Sequence, residues 1–149
     1  MQGTAEPKAR VVLAFDWGSK SIGVAIGQSV TATATPLTPL PARQGVPNWS
    51  DLQRLIEEWQ PDLFVVGIPL NMDATQSDSS IRAERFGRIL EGRFGICWTD
   101  MDERLSTYEV KTRLQQSGRD GIVKKGPIDS LAAKLILESW FNQSAEQNC

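Results

Sequence analysis

The chain has 149 residues, 40% apolar and 23% charged, with a formal net charge of −2; its length is that of one domain, and a polyanionic partner would need a local basic patch. There is no histidine, which excludes Ser-His-Asp and Cys-His catalysis, His-ligated zinc and a His general base. The two cysteines, Cys97 and Cys149, suggest neither a disulfide framework nor a CxxC metal pair, and no apolar run approaches the ~18 residues of a membrane span.

Residues 1–9 read as a polar, flexible leader, without the apolar region of a signal peptide. A reducing, cytoplasmic setting is expected, with Cys97 taken as core. Val11 to Asp16 is an apolar run ending in one carboxylate, the pattern of a strand buried on both faces. Gly18 allows a sharp reversal, and Ser21 to Gln28 alternates large and small residues as a second strand. An Asp at the end of a buried strand can meet a ligand or metal; Asp and Gly are equally ordinary in a hairpin turn. Thr31 to Thr35 reads as an edge strand, ended by Pro36, Pro39 and Pro41.

The period then changes. Asn48 is a candidate N-cap, Trp49, Leu52, Leu55, Ile56 and Trp59 follow at helical spacing, and Pro61 stops the helix. Leu63 to Ile68 is again wholly apolar, a buried strand. After a polar loop at 71–77, a helix is expected over 79–91, with Ile81, Phe86, Ile89 and Leu90 inward and Gly92 or Gly95 at its end. Ile96 to Met101 is the next strand. Ser106 with Glu109 forms a capping box for a third helix. A basic, Gly-rich loop at 118–126 precedes a last helix beginning at Pro127, with Leu131, Ala132, Leu135, Ile136, Ser139 and Trp140 as its amphipathic set. The domain spans 10–142, and 143–149 is a fraying tail.

The order β-β-β-α-β-α-β-α-α implies an α/β fold, a mixed five-stranded sheet with helices on both faces. The carboxyl ends of its parallel strands would gather Asp16, the loop at 71–75 and residues 102–104, where open α/β sheets place their crevice. Asp16 and Glu103 converge under this topology, and Asp129 opens the last helix. Each acid has an ordinary role alone: a turn acid, a partner for Arg104, a favourable charge at a helix start worth about 0.3–1 kcal/mol. Gathered together they would repel unless a divalent cation sat among them. Oxygen-only ligands suit Mg²⁺ or Mn²⁺, with Asp73 or Asp102 as a candidate fourth acid. Such an ion activates water and stabilises the leaving oxygen of a phosphodiester. Lys20, Asn71, Arg104, Lys124 and Lys125 lie near the same edge as candidate substrate contacts. Arg82, Arg85 and Arg88 read first as a solvated helix face, and Trp17 is the one tryptophan considered for stacking on a base.

Four ordered segments carry a resemblance: residues Phe15 to Ala25, Val66 to Asp73, Asp102 to Thr107 and Lys125 to Ala133. Together they resemble the YqgF family of RNase H-like, Holliday-junction-resolvase-like proteins, over about residues 10–142. The resemblance implies an RNase H-like fold and metal-dependent phosphodiester hydrolysis, in maturation of the pre-16S ribosomal RNA during ribosome biogenesis. It places the family's acids on Asp16, Glu103 and Asp129. Two departures stand out: Ala74 where the family often has Gly, and Pro127 two residues before Asp129. The alternatives are a Holliday junction resolvase on DNA, a non-catalytic ribosome-assembly module that binds RNA, and an actin-like phosphotransferase, for which one domain is too few.

Overall fold

The computed structural model describes residues 10–69, 77–102 and 127–143, with backbone alone for 127–129. The expected third helix, the 71–77 loop up to residue 76, the basic loop, the leader and residues 144–149 lie outside the described residues. Strands β1 (Val11–Asp16) and β2 (Ser21–Gln28) form an antiparallel hairpin, continued by β3 (Thr33–Arg43). A two-residue strand β4 (Val46–Pro47) caps β3, and helix α1 (Trp49–Trp59) follows. Then come β5 (Leu63–Ile68), α2 (Asp78–Phe94), β6 (Trp98–Asp102) and α3 (Pro127–Asn142). The sheet order is β4-β3-β2-β1-β5-β6, with β1, β5 and β6 parallel. The expected mixed sheet is present, with the short β4 as a sixth strand.

Burial on both faces explains the apolar runs. Leu13, Phe15, Val24, Phe64 and Val66 point to one side, under α1 and α2. Val12, Ala14, Ala25, Val65 and Met101 point to the other, under α3. A strand that must bury both sets of side chains has no polar position to spare until its end, and in β1 that end is Asp16.

Four expectations change. β3 runs through Pro36, Pro39 and Pro41 instead of stopping before them. Proline holds the preceding residue extended, and its missing donor is tolerated on an edge; β4 covers only Ala42 and Arg43 of β3. Helix α2 starts at Asp78 and ends at Phe94, capped by Ser77 and by Gly95 at φ +67°. Its inner face is Ser80, Ala83, Phe86, Gly87 and Leu90, whereas Ile81 and Ile89 are exposed. Small residues win those positions because the helix lies close: a Cβ on Gly87 would come within 2.3 Å of the Trp98 ring. Strand β6 begins at Trp98 rather than Ile96.

The last correction concerns Cys97. It packs half-buried against the α3-side core, but it is disulfide-bonded rather than an inert core thiol. The chain's other cysteine is Cys149, beyond the described residues. Asn48 caps α1 as expected, its side chain accepting from the Ser50 amide at 3.0 Å, and Gln60 ends the helix in the left-handed region.

Candidate active site

The parallel register sets the geometry. Phe15 pairs with Val66, and Val66 with Asp100. One residue further along, Asp16, Gly67 and Met101 share a level, and Asp102 lies one residue beyond, beside Ile68. At about 4.8 Å between strands, Asp16 and the end of β6 are two strands, or ~10 Å, apart at the backbone. The strand ends therefore bring position 16 and the chain leaving β6 to one edge, as the element order implied.

Alternation decides which face each acid serves. Val12 and Ala14 belong to the α3-side core, so Asp16, two residues on from Ala14, is directed to that face. Met101 also belongs to the α3 side, which turns Asp102 to the α1/α2 side. Asp16 and Asp102 are both half-buried, yet they serve opposite faces.

The start of α3 is brought to the same edge by a residue the sequence reading passed over. Ser130 is fully buried. Its hydroxyl donates to the Leu37 carbonyl and accepts from the Val24 amide at 3.4 Å. Val24 and Leu37 face each other across β2 and β3, beside the irregularity that follows Ile22. There Thr38 and Pro39 oppose Gly23 alone, the signature of a β-bulge. The Ser130 hydroxyl is interposed where the two strands open, satisfying a donor and an acceptor that would otherwise be buried without partners. Val24 pairs in turn with Phe15, the residue before Asp16. The first turn of α3, which includes position 129, thus starts one strand away from Asp16. The sequence clue was present: Ser130 sits inside the last of the four family-like segments.

The β1–β2 turn that follows Asp16 is held from outside. The Gly45 amide donates to the Ser19 carbonyl at 2.8 Å, and the Ala42 amide to the Lys20 carbonyl at 2.9 Å. A Cβ on Gly18 would lie 2.6 Å from the Ser21 carbonyl oxygen, so the reversal needs glycine. Lys20 is exposed at this turn. Of the three expected acids, Asp16 alone has a described side chain; position 129 is described as helix backbone, and Glu103 lies outside the described residues. Asn71, Arg104, Lys124 and Lys125 are outside as well. Among the described residues no three Asp, Glu or Cys side chains cluster as a metal site.

A model of the family described as "RuvX: Holliday junction resolvase" matches residues 10–143. The chain belongs to this family. Curated relatives match about nine-tenths of the chain. One from Shewanella denitrificans is 52% identical over 132 residues, covering 89% of this chain and 94% of the relative. Another, from Yersinia enterocolitica, is 52% identical over 136 residues, covering 91% and 97%. Both carry the name "Putative pre-16S rRNA nuclease". Among solved structures, Thermus thermophilus RuvC in complex with a Holliday junction substrate aligns with a TM-score of 0.56 at 14% identity, covering 89% of this chain and 94% of that one. The fowlpox virus Holliday junction resolvase aligns with a TM-score of 0.50 at 14% identity, covering 90% and 98%. At such identities the likeness is one of fold. It supports the RNase H-like fold that the sequence reading expected.

Proposed function

We propose that this chain is a metal-dependent nuclease that hydrolyses phosphodiester bonds of the pre-16S ribosomal RNA, in the cytoplasm and during ribosome assembly. The observation that carries the reading is the shared edge: Asp16 at the end of β1, the exit of β6 toward Glu103, and the start of α3 at Asp129, tied to β2 and β3 through Ser130. The names of relatives about half identical along nearly the whole chain support the substrate.

The donor chemistry fits a hard cation. The chain has no histidine, and the three acids offer oxygen alone, as Mg²⁺ and Mn²⁺ prefer. Asp16, Glu103 and Asp129 would hold the ion; when bound, it lowers the pKa of an attacking water and stabilises the leaving oxygen. The chain's own residues do the rest. Lys20, exposed at the β1–β2 turn, offers an ammonium to a phosphate, as would Arg104, Lys124 and Lys125, while Asn71 contributes a side-chain amide. The buried strand β1 fixes the backbone of Asp16 at the sheet edge, which lowers the cost of positioning it for the reaction.

The family description and the resolvase fold favour one second reading, cleavage of branched DNA. The experiment is direct. Purified protein is incubated with labelled precursor RNA, or with a four-way DNA junction, in Mn²⁺ or Mg²⁺, beside EDTA and Asp16→Asn controls. RNA cleavage lost in both controls supports the proposal, and junction cleavage by a dimer supports the second reading. Absence of cleavage, with RNA bound equally by wild type and variant, supports a non-catalytic ribosome-assembly module.

A further inference from the structure

A cluster that the acids do not use begins at the residue after Asp16 and packs on the α1/α2 side. Trp17 follows Asp16 directly, and its indole N–H donates to the Gly45 carbonyl at 3.0 Å. Gly45 has φ +82°, and a Cβ there would come within 2.1 Å of the indole ring; glycine is what lets the ring lie against this turn. Arg82 of α2 holds its guanidinium carbon 4.9 Å from the indole centroid, and its Nη2 donates to the Gln44 carbonyl at 2.8 Å. The guanidinium is thus fixed by a ring on one side and a carbonyl at one corner. A guanidinium has five N–H donors, so most of its donors stay available for a ligand.

The neighbouring charges make this arginine unusual on its helix. Arg88 is paired with Glu84 at 3.5 Å, whereas among the described residues neither Arg82 nor Arg85 lies within ion-pair distance of a carboxylate. Both are exposed. With Trp17, Trp49, Phe86 and Ile89 they line a cavity of about 160 Å³. That volume is well below the ~300–1,000 Å³ of sites for drug-sized ligands, so the cavity takes one flat ring rather than a whole ligand. A larger groove of about 450 Å³ between β3 and α1 carries Asp51 and Glu58 beside Arg54; its acids would repel a polyanion.

We infer that Trp17, Arg82 and Arg85 form a nucleotide subsite for a single-stranded stretch of the substrate, flanking the end of β1 on the α1/α2 side. An unstacked base lies against the outer plane of Arg82 and over the exposed Ile89, as bases do on arginine planes. Phosphate oxygens take the free donors of Arg82 and Arg85. Trp17 follows Asp16, about 3.8 Å along the backbone, but packs on the α1/α2 side while Asp16 is directed to the α3 side; a strand held in the subsite reaches the acids by crossing the end of β1. The inference rests on the nuclease reading for the role of Asp16, but its test does not.

Binding of a fluorescein-labelled single-stranded RNA is measured by anisotropy in EDTA, across a salt series. Wild type is compared with Arg82→Ala, Arg85→Ala, the double variant, Arg82→Lys and the control Arg88→Ala. Each alanine variant at 82 or 85 is expected to weaken binding at least ~fivefold and to lower the salt slope by about 0.7. Arg82→Lys keeps the slope and loses affinity, because a point charge cannot stack as a plane does. Arg88→Ala stays within about twofold of wild type, as its charge is already paired. Arg85 is exposed, so its variant keeps the fold, checked by thermal melting. Wild-type affinity and slope in the double variant would overturn the subsite. In Mg²⁺ or Mn²⁺, a raised KM with an unchanged kcat in the double variant supports it. An unchanged KM beside Asp16-dependent cleavage overturns the subsite and leaves the nuclease standing. Arginine-dependent binding without cleavage by the wild type keeps the subsite and removes the nuclease.

Discussion

The two faces of the sheet solve different problems. Under α1 and α2 the core is bulky and aromatic. Phe15 meets Phe64 and Phe86 edge to face, and Trp49 stacks on Phe86. Under α3 the contact is built from Ala14, Ala25, Ala34 and Ala133, with Gly27 so close to the helix that a Cβ would lie within 3.0 Å of Leu137 and Phe141. Small residues let a helix come near a strand, and nearness fixes position. The aromatic face supplies most of the large-ring burial; the alanine face places the start of α3 beside Asp16. Stability and chemistry are thereby separable by mutation.

The largest expected effect tests the aromatic face. Phe86→Ala removes a ring that is 3% exposed and should cost about 3–5 kcal/mol, read as a lower urea midpoint. Molecules that remain folded should keep the wild-type kcat, with any rise in KM tracing to the cavity that Phe86 lines; a kcat loss beyond the unfolded fraction would mean that the faces are not separable. Asp16→Asn should do the reverse. It should slow cleavage at least ~100-fold, about 2.7 kcal/mol on the barrier, while the melting temperature barely moves. A residual rate within tenfold of wild type would remove Asp16 from the acid set.

Ser130→Ala sharpens the comparison between these extremes. It leaves the Leu37 carbonyl and the Val24 amide without the hydroxyl that now serves both, at a cost of about 1–3 kcal/mol. Cleavage should fall further than the melting curve accounts for, because Asp129 is its neighbour in the chain. Equal losses in rate and stability would make the serine an ordinary core contact. Arg88→Ala is the smallest change: its pair with Glu84 is exposed at 69% on the arginine side, and about 0.5 kcal/mol or less should be lost. A larger drop would show that the outer surface of α2 supports the aromatic core.

Much of this arrangement was legible beforehand. The wholly apolar runs of β1 and β5 identified buried strands, and a strand-helix-strand order requires parallel pairing, so the edge holding Asp16 followed from period and connection alone. Asn48 and Pro61 bounded α1 through local chemistry. The reading failed where the deciding contact is distant. Pro36, Pro39 and Pro41 are breakers in a central strand and tolerated on an edge, and only the neighbouring strands tell which applies. Ile81 and Ile89 looked like the inner stripe of α2, but Gly87 must sit against Trp98, and that contact rotates the helix. Ser130 reads as one small polar residue in an apolar helix until the opening between β2 and β3 supplies its partners. Cys97 likewise shows nothing of its bond in its own neighbourhood.

The proline-studded strand has a consequence for how this molecule meets others. A sheet flank with regular donors and acceptors invites a passing chain to add itself as one more strand, the first step toward fibrous assembly. Over residues 33–41, β3 has no described partner on its outer side, but three of its nine positions lack an amide hydrogen. A visiting strand would find a broken ladder. This flank is therefore closed to strand addition, whether by a second copy or by an extended peptide, and a half-finished chain displaying it during synthesis is guarded in the same way.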